Sequence, residues 1–135
     1  MTVSMQNLVQ EAKRASSNAY APYSGFCVGS AVLSRSGKVF VGVNVENSAF
    51  GSTICAERVA ITSAVAAGER NFVAIAVYNH DSLPTPCGAC LQVLSELAPR
   101  ARIIIANDAE TREYLLSDLL PNAFSEAERL KKRGI

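Results

Sequence analysis

Thr53-Ile54-Cys55-Ala56-Glu57-Arg58, TICAER in one-letter code, sets a soft metal ligand, a carboxylate and a guanidinium within four consecutive residues. The stretch opens a segment, residues 55–67, that otherwise needs only Ala, Val and Ile to be a helix. Its stripe of small side chains, Ala56, Val59, Ala60, Ser63, Ala64 and Ala67, ends at Gly68, the residue suited to a left-handed position after a helix. Upstream, Phe26 to Leu33 and Lys38 to Val45 are rich in Val and Phe and flank the turn Ser34-Arg35-Ser36-Gly37, which predicts a β-hairpin. Farther back, Ser4 is a fair N-cap, and Leu8, Ala12, Ala15 and Ala19 recur at helical spacing, predicting a first helix over residues 5–20 ended by Pro22. Downstream, Phe72 to Tyr78 is an apolar run of strand length. Residues 87–97 then carry Cys90, Leu94 and Leu97 on one helical face, and Arg102 to Ala106 gives another strand. Thr111 to Leu120 has no clear period, and the tail from Pro121 reads as a short irregular or helical end. The order α-β-β-α-β-α-β predicts a single mixed sheet with helices packed on its faces.

Residues 1–135 read as one domain, long enough to bury a sizeable core without disulfide staples. Net charge is +1, and Lys and Arg are scattered until the closing Arg129, Lys131, Lys132 and Arg133 cluster. With no basic stripe to neutralise phosphates, no nucleic-acid polymer is expected as partner. The opening MTVSMQNLVQEAKR has no charged leader followed by an apolar block, and no apolar run reaches the roughly 18 residues of a membrane span. The expectation is a cytoplasmic protein with no membrane partner. Its four cysteines are then thiols or metal ligands rather than disulfides.

Pro86-Cys87-Gly88-Ala89-Cys90 is a C-x-x-C at a helix start, where residues three apart share one face and two sulfurs converge on one ion. Cys55 stands at the start of the other helix. Both places favour the thiolate that metal binding needs. Three cysteines are one ligand short of a closed structural zinc site, which fits an open catalytic position. Glu57 is the carboxylate at hand, yet positions 55 and 57 of an ideal helix point about 200° apart. Cys55 must therefore lie at or before the first turn if both are to face one ion. Zinc with three thiolates is a poor setting for acidifying water, and Arg58 donating to the sulfurs would withdraw part of their charge. Alone, Arg58 would equally be a solvated helical arginine. Cys27, flanked by Phe26 and Val28, reads as a small buried hydrophobe, and His80, the only histidine, as a solvated loop residue.

C-A-E-R followed by P-C-G-A-C resembles the zinc nucleoside deaminases, a class for which an H-x-E…P-C-x-x-C signature is known. Cys as first ligand and the short chain resemble the small homotetrameric cytidine deaminases, whose order YAPYSGFCVG, GVNVENSAFG, TICAER, PCGAC and LLPNAF follow nearly end to end. The resemblance implies a three-layer α-β-α fold around a mixed sheet of about five strands. It assigns Cys55, Cys87 and Cys90 to one zinc per chain, and Glu57 as the acid and base that moves a water proton to N3 of the pyrimidine and then to the departing amine. It matches Asn44 and Glu46 to the ribose hydroxyls, the Ala56 N–H to the 2-oxo group and Phe26 to a ring near the base. Phe124 matches an aromatic contributed by a neighbouring subunit. The chain departs from the family at Phe50, where Tyr near the 5′ side of a substrate across a subunit boundary is usual, and at Leu91, where Arg is common. These departures bring modified cytidines into the expected range.

Other readings remain. A structural zinc module would leave Glu57, Asn44 and Glu46 idle and would close the site with Cys27 or His80. A thiol oxidoreductase needs no third cysteine. Blasticidin-type deaminases share the metal motif. The expectation is a zinc-dependent deaminase of cytidine and deoxycytidine in pyrimidine salvage, assembled as a homotetramer, with a small nucleoside as its ligand.

Overall fold

A computed structural model describes residues 4–126, 133 and 134. Part of the tail from Pro121, expected as a short irregular or helical end, and Arg129, Lys131 and Lys132 of the basic cluster lie outside the described residues.

Helix α1, Met5–Ser16, starts where Ser4 Oγ accepts from the Asn7 N–H at 3.1 Å, and it buries Leu8, Ala12 and Ala15. It stops at Ser16, four residues short of the end its periodicity predicts and well before Pro22. Ser16 and Ser17 turn their hydroxyls back onto the Lys13 and Arg14 carbonyls at 2.6 and 2.9 Å, local bonding that competes with a continuing helix. The hairpin is β1, Gly29–Ser34, antiparallel to β2, Val39–Val43. Residues 26–28, expected to begin the first strand, lie outside the ladder. After a short 3₁₀ turn, Phe50–Ser52, come α2, Ala56–Ala66, and β3, Phe72–Tyr78. Then follow α3, Gly88–Leu97, and β4, Arg102–Ala106. The stretch without a clear period resolves into a strand β5, Thr111–Leu115, and a one-turn α4, Leu116–Leu119.

The five strands form one sheet in the order β2-β1-β3-β4-β5, with β3 and β4 parallel and every other pair antiparallel. Side chains alternate across it with the period of two. Val32, Ile75, Ile103 and Ile105 pack beneath α2, α3 and α4. Ala31, Leu33, Ala74, Ala76 and Ile104 face the other way, onto α1. The layers are α-β-α, as expected, and β1, covered on both faces, is buried along its whole length. Leu91, the residue in place of the family's Arg, is 6% exposed inside the α2–α3 core, where an apolar side chain is what the packing wants.

Gly42 sets how α2 sits. A Cβ there would come within 3.0 Å of Ala56 O, Ala60 N and Ala60 Cα, so the helix start lies directly on the β2 backbone. The first turns of α2 and α3 are thereby presented side by side, α3 following the loop that leaves the C-terminal end of β3. That is the end of parallel strands where α/β sheets bind ligands.

Candidate active site

Cys55 is the N-cap of α2, with φ −72° and ψ 152°, not a member of its first turn. That extended residue lets Cys55 and Glu57 address one point, as the sequence required. Its place is fixed by a pair of bonds between Val45 and Ile54, at 2.9 and 3.0 Å, which ties the chain entering α2 to residues 44–46. Cys87 caps α3 in the same way, with φ −72° and ψ 168°, and Cys90 lies buried on that helix's first turn.

The three sulfurs lie within 4.8 Å of one another, with Cys55 Sγ to Cys87 Sγ at 3.8 Å and Cys87 Sγ to Cys90 Sγ at 3.5 Å. A tetrahedral ion with metal–sulfur bonds of about 2.3 Å holds its sulfurs roughly 3.8 Å apart, so the donor set fits zinc. Arg58 Nη2 donates to Cys55 Sγ at 3.6 Å, and among the described residues its Nε is buried without a hydrogen-bond partner. Hydrogen bonding from Cys90, then from Arg58 and Cys87, brings the Cys55 thiol down to about 5 against the opposing effect of burial. Cys90, which donates to Cys55 and is itself buried, is pushed up. One thiolate is therefore already favoured, and Arg58, bonded to it, is held above its ordinary value. Cys27 is half-buried and His80 exposed, and neither belongs to the cluster.

Glu57 is 5% exposed. Burial pushes its carboxyl up to about 7, with the negative charge of Cys55 adding to the rise and its own backbone N–H, Cys90 and Arg58 opposing it. Cys55, Cys87 and Glu57 all open onto one cleft of about 460 Å³, whose walls include Phe26, Val28 and Asn44 from one part of the chain and Leu83, Pro84 and Thr85 from another. Ala56, fully buried, is the first residue of α2, so its N–H has no partner within the helix.

The side chain of Asn44, 8% exposed, builds the wall itself: Oδ1 accepts from the Val28 N–H at 2.9 Å and Nδ2 donates to the Phe26 carbonyl at 2.7 Å. One amide hydrogen and one lone pair remain for a ligand. Glu46 accepts from the N–H groups of Tyr23 and Ser24 at 3.0 and 3.1 Å and from Ser24 Oγ. These bonds, the Ser24 hydroxyl foremost, hold its carboxyl below the usual range. Ser24 Oγ also accepts from the Phe26 N–H at 3.0 Å, so Glu46 shapes the loop that presents Phe26. Glu46 and Phe50 line an adjoining hollow of about 380 Å³ that shares Thr53 with the cleft. Phe50, 77% exposed, meets Tyr23 edge-on at 6.2 Å. Phe124, 69% exposed, lines neither space, and its carbonyl accepts from Gln92 Nε2 at 3.1 Å. The fold thus brings the three cysteines, Glu57, Arg58, Phe26 and Asn44 together, sets Glu46 and Phe50 beside them, and leaves Phe124 apart. Sequence reading missed Thr53 and the Leu83–Thr85 wall, whose only local signal is their position just ahead of a ligand cysteine.

The cytidine and deoxycytidylate deaminase zinc-binding region matches residues 2–106 of the chain. The cytidine deaminase of Halalkalibacterium halodurans is 45% identical over 123 residues, 89% of this chain and 93% of that one. The crystal structure of cytidine deaminase from Burkholderia pseudomallei superposes with a TM-score of 0.87 at 46% identity, covering 90% of this chain and all of the other. A blasticidin-S deaminase of Bacillus cereus is 28% identical over 103 residues, 70% of this chain and 74% of that one.

Proposed function

From the premise that the chain belongs to the cytidine and deoxycytidylate deaminase zinc-binding family, we infer that it catalyses hydrolytic deamination of cytidine and deoxycytidine to uridine and deoxyuridine, releasing ammonia. The observation that carries this is the joint opening of the thiol cluster and the buried Glu57 onto one cleft. Greater identity to cytidine deaminases than to the blasticidin-S enzyme favours cytidine over blasticidin S as substrate.

Cys55, Cys87 and Cys90 would hold a zinc ion, which when bound would supply Lewis acidity to a water at neutral pH. Arg58 donates to Cys55 Sγ, and the N-termini of α2 and α3 add positive potential, which draws electron density from the sulfurs. Glu57, buried and open to the same cleft as Cys55 and Cys87, takes a proton from the attacking water, delivers it to N3, and then passes a proton to the amine. A C4–O bond forms, the C4–N bond breaks and ammonia leaves. The Ala56 N–H is free to donate to the 2-oxo group, Phe26 offers a ring to the base, and Asn44 with Glu46 takes the ribose hydroxyls.

Exposed Phe50 and Tyr23 beside the cleft, and an exposed Phe124 that lies apart from its own chain's site, support assembly as a homotetramer in which a neighbour's Phe124 closes the site. Pyrimidine salvage in the cytoplasm is the role that fits a nucleoside substrate. Among the described residues no helix is long and apolar enough to cross a membrane. Ammonia release from a panel of cytidine, deoxycytidine, N4-substituted cytidines, free cytosine and blasticidin S tests the reading. Cytidine and deoxycytidine are expected to lead, whereas activity on blasticidin S alone would overturn it.

A further inference from the structure

The cleft has two walls on different parts of the chain, and one side chain outside the chemistry joins them. Asn79 directly follows β3 and is 1% exposed, with its N–H on the Ala106 carbonyl at 3.2 Å. Its Nδ2 donates to the Cys27 carbonyl at 2.8 Å. Its Oδ1 accepts from the N–H groups of Asp81 and Ser82 at 3.0 and 2.9 Å. This orientation is fixed chemically, since only an amide nitrogen can donate to a carbonyl and only the oxygen can accept two N–H bonds. On one side the bond grips the middle of the Phe26–Val28 wall, whose flanking Phe26 carbonyl and Val28 N–H are held by Asn44. On the other, the two accepted bonds fold the start of the loop that supplies Leu83, Pro84 and Thr85 and ends at Cys87. The side chains of two nearly buried asparagines thus hold two successive peptide groups of one wall, 26–27 and 27–28, and Asn79 also holds the start of the other.

We propose that Asn79 is a positioning residue that sets the width of the cleft, tying the wall beside the base to the loop that delivers the zinc ligand Cys87. This rests on the deaminase reading above. The two functions of its amide separate by substitution. In Asn79→Asp an oxygen still accepts from Asp81 and Ser82, but the tie to Cys27 becomes a repulsion between two acceptors. In Asn79→Ser the hydroxyl can still accept from the turn but is too short to reach Cys27, and it adds no charge. Asn79→Ala loses both.

The experiment measures KM and kcat for cytidine, the Kd of product uridine by calorimetry, and the rate of zinc release to a chelator, with circular dichroism to confirm folding. Both Asp and Ser variants are expected to raise KM and the uridine Kd roughly tenfold, the weight of one buried hydrogen bond. Their kcat should stay within about threefold, because the groups at the reacting carbon are untouched. Their zinc release should match wild type, whereas Asn79→Ala should release zinc faster as well. Wild-type KM and uridine Kd in the Asp and Ser variants would overturn the proposal. So would losses in KM, kcat and zinc retention that run in parallel with falling melting temperature, the mark of a merely structural residue. If wild type itself leaves cytidine untouched, the deaminase reading fails. The zinc-release comparison between Asn79→Ala and Asn79→Ser then still decides whether Asn79 holds the Cys87 loop.

Discussion

Gly42→Ala should damage the metal centre without touching any residue that faces it. The three nearest atoms a new Cβ would meet are backbone of α2: Ala60 Cα at 3.0 Å, with Ala56 O and Ala60 N closer still. Ordinary contact begins at 3.4 Å, so the shortfall is 0.4 Å at Ala60 Cα and larger at the other two. Backbone cannot rotate out of the way, and the first turns of α2 must recede from the sheet as a body. Overpacking of this kind costs about 1–3 kcal/mol, which in a domain of this size lowers the melting temperature by roughly 3–12 °C. The same movement carries Glu57 and Arg58 away from Cys87 and Cys90 on α3. With a displacement approaching 1 Å, kcat should fall on the order of tenfold to a hundredfold. Gly29→Ala is the control, because its Cβ would strike the Ala12 carbonyl and Ser16 N–H of α1 on the opposite face. It should lower the melting temperature at least as much, yet leave kcat and zinc content near wild type at temperatures where the protein is folded. Thermal melts, zinc analysis and steady-state kinetics on both variants decide the matter. A Gly42→Ala protein as active as wild type, or a Gly29→Ala protein with equally depressed kcat, would refute the claim that β2 sets the height of the catalytic helix.

In metal-free protein, burial raises the Glu57 carboxyl from 4.5 to about 7, so the folded state binds a proton the unfolded state has already released. Its own contribution to stability should therefore fall as pH rises between those values, by on the order of 3 kcal/mol, against the opposite slope of the lowered Cys55 thiol. The stability difference between wild type and Glu57→Gln should change with pH by about that amount in denaturant titrations; a pH-independent difference would refute the burial argument. Cys87→Ser should abolish stoichiometric zinc, while Cys27→Ser should keep one zinc per chain by elemental analysis, since Cys27 lies outside the sulfur cluster. Arg58→Gln removes the donor to Cys55 Sγ and should lower kcat about 10- to 100-fold while zinc stays bound. Full activity would make Arg58 a packing residue.

Elements whose own residues bury themselves were legible in the sequence. Phe72–Tyr78 and Arg102–Ala106 fall where the apolar runs put them, because a strand covered on both faces needs no alternation. β5 was not legible: Thr-Arg-Glu-Tyr-Leu lies on the sheet edge with only Tyr114 turned to the core, and its pairing with β4 is a long-range fact that no local pattern carries. The end of α1 was misread because Ala19 continues the period, whereas the Ser16 and Ser17 hydroxyls stop the helix sooner. At the site, Cys55, Cys87, Cys90 and Glu57 were readable because ligand chemistry constrains spacing. The double duty of Asn44 and Glu46, bonding backbone about 20 residues upstream, was not. Nor was Asn79, whose Asn-His-Asp-Ser neighbourhood reads as an ordinary loop until Cys27 is seen across from it.

The central claim is that a zinc held by three thiols and a buried Glu57 act together on a cytidine. It is tested most directly by following the loss of ultraviolet absorbance when purified protein meets cytidine, for wild type and Glu57→Gln, with zinc content determined for both. Wild type should convert cytidine to uridine, and the variant, at the same one zinc per chain, should lose several orders of magnitude in rate. A variant that turns over at the wild-type rate, or a wild type that carries zinc and leaves both cytidine and deoxycytidine untouched, would contradict the account.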